Sequence, residues 1–252
     1  MKTAVITGAS SGIGYATAIK LSELNYNLIL CGRNIKKLED LKKSLSKITN
    51  VIILVFDVRN KLQVFESFDN LNDDWKNIDV LINNAGNAHG KEQLLNDDVK
   101  DWEAMIDGNV KGLLYVSKAI INKMTKRKKG HIINISSIAG KETYENGVVY
   151  CASKRAVEAI SEGMRIELTK HNIKVSNIAP GLVKTNFSNV RFKGDLKKAS
   201  ETYKGYQALL AEDIADLISY ILNCPDRVNI ADVTIFPKAQ SSASVVHKVD
   251  SE

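Results

Sequence analysis

Short apolar runs rich in β-branched residues alternate with amphipathic stretches along nearly the whole chain. Ala4-Val5-Ile6 opens the series and gives way to a helical stretch from about Gly12 to Leu24. Asn27 to Cys31 is followed by Ile35 to Leu45, where Leu38, Leu41 and Leu45 share one helical face. Val51 to Phe56 precedes a helix within 61–75, and Ile78 to Ile82 precedes a long helical region from about Val99 to Met124. His131 to Ile135 precedes a helix carrying Tyr150, and Lys174 to Ala179 and Val233 to Phe236 complete the strands. Continuous apolar strands separated by helices point to a parallel sheet covered on both faces, because such strands have no polar side to turn to water. The pattern predicts the α/β class: one doubly wound domain over 1–252 with a mostly parallel seven-stranded sheet. No internal repeat or linker interrupts it.

Composition narrows this picture without changing it. The 252 residues are 44% hydrophobic and 25% charged, ordinary for a soluble globular protein. The opening run enters a strand at once, leaving no room for a signal peptide, and no apolar run reaches membrane-spanning length. Cys31, Cys151 and Cys224 are scattered, odd in number and without metal-ligand spacing. They read as reduced core thiols, and a cytoplasmic protein without a membrane partner or metal is expected. The net charge of +6 raises the question of nucleic acid. Its densest cluster, Lys123, Lys126, Arg127, Lys128 and Lys129, falls where a helix should end, which suits the dipole and solvent. No aromatic residues interleave with it, so no nucleic-acid partner is expected. An RNA-binding rival would show itself by salt-dependent binding.

Three turns carry candidate chemistry. Thr7-Gly8-Ala9-Ser10-Ser11-Gly12-Ile13-Gly14 lies between the first strand and the first helix. Glycines there let the backbone approach a pyrophosphate, whose charge the helix N-terminus favours. The second strand ends in Cys31-Gly32-Arg33-Asn34, without the acid that would take the ribose hydroxyls of NAD. Arg33 suits a 2′-phosphate, so NADP is the expected cofactor. Asp57 follows the third strand and is a candidate acceptor for an adenine amino group, or a helix cap. Asn83-Asn84-Ala85-Gly86 follows the fourth and offers small residues to a ribose. Finally, Tyr150 and Lys154 stand four residues apart, on one helical face. A free phenol has a pKa of about 10, and a neighbouring ammonium moves it toward working range.

Together these stretches resemble the short-chain dehydrogenase/reductase family over nearly the whole chain. The resemblance rests on Thr7 to Gly14, Asn83 to Gly86, Asn109, Ser136-Ser137, Tyr150 with Lys154, and Pro180-Gly181-Leu182-Val183-Lys184-Thr185, in the family's order. It implies a Rossmann-type fold and a catalytic set of Asn109, Ser137, Tyr150 and Lys154. In that set Tyr150 is the general acid/base and Lys154 lowers its pKa and holds the nicotinamide ribose. Ser137, 13 residues before the tyrosine, polarises the substrate oxygen, and Asn109 supports a proton relay. Asn109 also breaks a helical pattern beside Gly108 and Gly112, as functional positions often do. The resemblance further implies cofactor contacts from Gly8, Ser10, Ser11, Gly12, Ile13, Gly14, Arg33, Asp57, Val58, Asn84, Ala85, Gly86, Tyr150, Lys154, Pro180, Gly181, Val183 and Thr185.

The segment from Thr185 to Asp195, with Ile230 to Pro237 in the tail, is similar to an NADP-dependent branch acting on serine, L-allo-threonine and 3-hydroxy acids. Asn34 departs from the second arginine common in that branch. The expected substrate is a small hydroxy acid, bound by Ser137, Tyr150 and Arg191. Arg191 suits a carboxylate, although a salt bridge or subunit contact would use it equally well. His89 and Tyr144 are expected to line the pocket, and 186–206 to cover it. The alternatives are a carbonyl reductase of neutral aldehydes, ketones or dicarbonyls, and a redox sensor that binds NADP(H) without turnover. Two apolar stripes on the Tyr150 helix, Val157, Ile160, Met164, Leu168 and Val148, Ala152, Ala159, Ile166, suggest burial on two sides. The family resemblance implies a homotetramer or homodimer through these helices.

Overall fold

The computed structural model describes residues 1–249. Its centre is a sheet of seven parallel strands, β1 (Thr3–Thr7), β2 (Asn27–Gly32), β3 (Val51–Val55), β4 (Val80–Asn83), β5 (Gly130–Ile135), β6 (Ile173–Pro180) and, last in sequence, Asp232–Ile235. Two residue pairs, β7 (Val183–Lys184) and β8 (Leu209–Leu210), form a small separate sheet, so the last strand is β9. The spatial order is β3-β2-β1-β4-β5-β6-β9. Strand order reverses between β1 and β4, which opens a crevice at their carboxyl ends.

Side chains alternate between faces along each strand, and both faces are apolar. Ile6, Leu28, Leu30, Ile82 and Ile133 pack on one side with α1 (Gly12–Glu23), α2 (Ile35–Leu45) and a C-terminal helix at Ala211–Asn223. Val5, Ile29, Leu81, Ile132 and Val175 pack on the other with α3 (Lys61–Asp69) and the helices between β4 and β6. The doubly wound single domain follows from this two-sided burial.

Two features depart from the sequence reading. The helical region expected from Val99 to Met124 is not continuous. It divides into α4 (Val99–Ile106), a widened π turn over Asp107–Gly112, and α5 (Leu113–Arg127). Gly112 faces Val58, so closely that an added Cβ would lie 2.7 Å from its Cγ2. The basic cluster does end α5, where Arg127 donates to Asp79 at 2.6 Å. Beyond α6 (Val148–Leu168) lie α7 (Phe187–Arg191) and α8 (Leu196–Glu201), both within the expected covering segment. The other departure is α9 (Ala211–Asn223), which the reading did not identify. Ile214, Ala215, Ile218 and Leu222 recur at helical spacing and are buried, and Asp213 accepts from the Leu210 N–H at 2.7 Å.

Candidate active site

A cleft of about 1560 Å³ runs along the carboxyl ends of the strands. Its first wall is the turn after β1, which a hydrogen-bonded clasp holds to the turn after β4. The Thr7 hydroxyl accepts from the backbone N–H groups of Asn84 and Ala85, each at 3.0 Å. Asn84 Nδ2 donates to the carbonyls of Thr7 at 2.9 Å and Gly8 at 3.3 Å. Asn84 therefore shapes the turn as well as bordering the cleft. Gly8 has φ +67°, a left-handed conformation that other residues adopt at a cost. Gly14 lies behind the cleft surface, where a Cβ would come within 2.5 Å of the Gly8 carbonyl oxygen. Its absence lets α1 seat directly on the turn. Ser11 precedes α1 without a side-chain capping bond, and the first turn holds no acid. The unpaired N–H groups and positive end of the helix are left for an anion.

At the far end, Arg33 projects from the end of β2 with 65% of its side chain exposed. Asn34 caps α2 by accepting from the Lys37 N–H at 3.0 Å. Asp57 also holds two arginines. Arg59 donates through Nε and Nη2 to its Oδ2 at 3.0 and 2.7 Å, and Arg33 lies 3.7 Å away. Burial works against the carboxylate, but the Arg59 hydrogen bonds prevail and hold it below the usual range. Asp57 thus anchors a guanidinium pair while bordering the cleft. The sequence reading missed Arg59, whose two-residue separation from Asp57 is the available signal. Glycine turn, open helix end and paired guanidinium groups fit a phosphorylated dinucleotide. Ser10, Ile13, Val58, Ala85, Gly86, Pro180, Gly181, Val183 and Thr185 line the same cleft.

The reactive centre lies between these walls and α6. Tyr150 is 7% exposed, its ring 5.7 Å from that of Phe187. Lys154 is buried one turn on, its Nζ donating to the Ile135 carbonyl at 2.9 Å. Burial lowers the Lys154 pKa to about 8. Burial also pushes the Tyr150 phenol well above its ordinary value, and Tyr144 adds to this. The Ser137 hydrogen bond and the Arg191 charge pull it down without winning. Burial outweighs these pulls on the phenol, and Lys154 Nζ is held on the Ile135 carbonyl. Ser137 Oγ accepts from the Ala139 N–H at 3.1 Å, and its own proton is directed toward the Tyr150 oxygen.

Asn109 sits in the π turn, buried, and does not reach the cleft surface. Its Oδ1 accepts from the Asn87 N–H and its Nδ2 donates to the Asn87 carbonyl, both at 2.8 Å. Nδ2 also donates to Ser153 Oγ at 3.0 Å, and Ser153 bonds the Tyr150 carbonyl at 2.8 Å. Widening the helix aims this amide across at α6. Ser153 was not singled out from the sequence, since its role depends on a partner 44 residues away.

Arg191 closes the centre from α7. Its guanidinium lies over the rings of Tyr144 and Tyr150, at 5.5 and 5.6 Å from their centroids. Nη1 donates to Tyr144 Oη at 2.9 Å and Nε to the Gly90 carbonyl at 3.1 Å. Nη2 is buried without a hydrogen-bond partner, and no acid pairs with Arg191 among the described residues. Tyr144 lines the cleft as expected, whereas His89 does not. His89 is half-buried beside it, where burial lowers its pKa and Asp101, the nearest acid acting on it, is paired with Lys193 at 2.7 Å. Lys91 and tail residues including Gln240 and Lys248 also border the cleft, and the sequence reading did not anticipate them.

A parallel sheet with a phosphate-fitting turn at its switch point, and a buried tyrosine–lysine pair in the crevice, defines a dinucleotide-binding oxidoreductase. The chain belongs to the short-chain dehydrogenase family, whose model, described as short chain dehydrogenase, matches residues 2–195. It is 42% identical over 246 residues to the NADP-dependent 3-hydroxy acid dehydrogenase YdfG of Salmonella typhi, covering 97% of this chain and 98% of that protein. The protein of the same name from Escherichia coli K12 is 41% identical over the same shares. Among solved structures, the closed form of a serine dehydrogenase complexed with NADP+ superimposes with a TM-score of 0.92 at 40% identity, covering 98% of this chain and all of that one.

Proposed function

We propose that the protein is an NADP-dependent oxidoreductase that moves a hydride between NADP(H) and a 3-hydroxy acid or β-hydroxy amino acid of the serine or L-allo-threonine type. The observation that carries the substrate class is Arg191. It brings a buried, partnerless Nη2 to the face of Tyr150, and a substrate carboxylate is the group that would satisfy it. The names of the relatives at about 40% identity agree with this reading.

When bound, the nicotinamide supplies or accepts the hydride. The protein positions, polarises and handles the proton. Tyr150, a phenol protonated near neutral pH, is the donor to a carbonyl oxygen during reduction. Ser137 donates to the same oxygen and Lys154 supports the phenolate as the proton leaves. In the oxidising direction Tyr150 must first lose its proton, so oxidation gains from rising pH. Asn109 supports the relay by holding Asn87 and, through Ser153, the start of α6. Arg33, with Arg59 behind it, takes the 2′-phosphate, and Asp57, which borders the cleft between them, accepts from the adenine amino group. The segment 186–206 covers the substrate through Phe187 and Arg191. Free thiols at Cys31 and Cys151 accord with a cytoplasmic protein. The exposed stripe of Val148, Ala152, Ala159 and Ile166 accords with a homotetramer or homodimer formed through α6.

The test is a spectrophotometric screen that pairs NAD or NADP with serine, threonine isomers, 3-hydroxy acids and neutral alcohols. Preference for NADP with acids is expected. Faster turnover of neutral alcohols would favour the broad carbonyl reductase instead.

A further inference from the structure

Tyr150 and Lys154 continue into a third member of the same helical column. Glu158 lies one turn beyond Lys154 on α6, at the same four-residue spacing. Its side chain is only 13% exposed. Lys141, just after the Ser137 turn, donates to Glu158 Oε2 at 2.8 Å and also pairs with Asp232 of β9 at 2.8 Å. Asn177 of β6 donates to the other oxygen of Asp232 at 3.1 Å, and Arg155 Nη2 donates to the Lys141 carbonyl at 2.6 Å. Glu158 Oε1 is buried without a partner. One lysine is thus shared between two carboxylates, which leaves the Glu158 carboxylate, one oxygen unpaired, next along the helix from the reactive pair.

We propose that Glu158, restrained by Lys141, is a positioning residue that acts on Tyr150 through Lys154. The inference rests on the dehydrogenase reading above and extends it to a residue outside the cleft. Developing phenolate on Tyr150 needs a positive neighbour in a site where burial favours the neutral amine. The Lys154 ammonium meets the Ile135 carbonyl and Gly86, with the Asn109 amide behind it, and Ser136 bonds the Lys154 carbonyl, all uncharged. Glu158 is the charged group that favours the ammonium. Of the other charges, Arg191 lies over the Tyr150 ring, Lys141 is paired with Glu158 and Asp232, and Arg155 bonds the Lys141 carbonyl.

The test compares pH profiles of kcat for carbonyl reduction in the full-length enzyme, with Glu158→Gln and Lys141→Gln beside the parent. Glutamine at 158 retains shape and a hydrogen-bond acceptor for Lys141 but removes the charge. Lys154 then loses its proton earlier, and the alkaline limb should move down by about half a pH unit or more. Lys141→Gln leaves the Glu158 charge less neutralised, so the same limb should move up. Opposite shifts support the proposal. Unmoved limbs, or one uniform loss of rate in both variants, would overturn it and mark the cluster as structural. If Glu158→Gln does not fold, the direction of the Lys141→Gln shift decides alone. An inactive parent would instead count against the dehydrogenase reading itself.

Discussion

Replacing Arg191 with methionine isolates what the guanidinium does, because methionine keeps the length and apolar contact while removing charge and donors. In the protein Nη1 and Nε already bond Tyr144 and Gly90, so only the buried Nη2 is left to answer a substrate. A hydrogen bond to a charged group contributes about 1.5–3 kcal/mol, and each 1.36 kcal/mol is tenfold. The kcat/KM for a 3-hydroxy acid should therefore fall about 10- to 150-fold. A neutral ketone of similar size makes no such bond and should lose severalfold at most, through the loosened Tyr144 and Gly90 contacts. Folding stability should fall by about 1–2 kcal/mol as two cation–π contacts are lost. Steady-state kinetics on matched acid and neutral substrates read this directly. Equal losses on both would refute carboxylate recognition and leave Arg191 as a brace between α7 and the Gly90 loop.

The remaining predictions concern the cofactor end. Arg33→Ala should cut the preference for NADP over NAD by about 10- to 100-fold, since Arg59 stays bound to Asp57 and cannot fully replace it; an unchanged ratio of kcat/KM values would contradict this. Gly14→Ala would force a Cβ against the Gly8 carbonyl and Asn84. It should lower stability by about 1–3 kcal/mol and abolish the rise in melting temperature on adding NADP. Normal thermal protection by NADP would show that the turn tolerates displacement of α1.

The sheet was legible because its signal is local. Ile35–Leu45 is the helix its leucine spacing marks, and each main strand is an apolar run whose alternate residues feed opposite cores. The glycine turn, Ser137, Tyr150 and Lys154 were likewise legible, since short spacings fix their placement. What escaped notice depends on distant partners. In the π turn, Asn87 and Ser153 bond the Asn109 amide from other elements. Asp57 looked free because nothing in its own run says that Arg59 folds back onto it. Lys154 likewise bonds a carbonyl of β5, a partner that the four-residue spacing from Tyr150 does not announce. His89 stands near the pocket in sequence terms, yet the Gly90 turn, with φ +71°, carries the chain to Arg191 without placing it in the cleft.

Most depends on the phenolic proton. Tyr150→Phe keeps the ring packed on Phe187 and under Arg191 while deleting the phenolic oxygen proposed to exchange a proton with substrate. The measurement is kcat for NADP-linked turnover of the best hydroxy acid by this variant. A fall of about 10²- to 10⁴-fold with NADP binding intact is expected. Turnover equal to that of the parent would contradict the account.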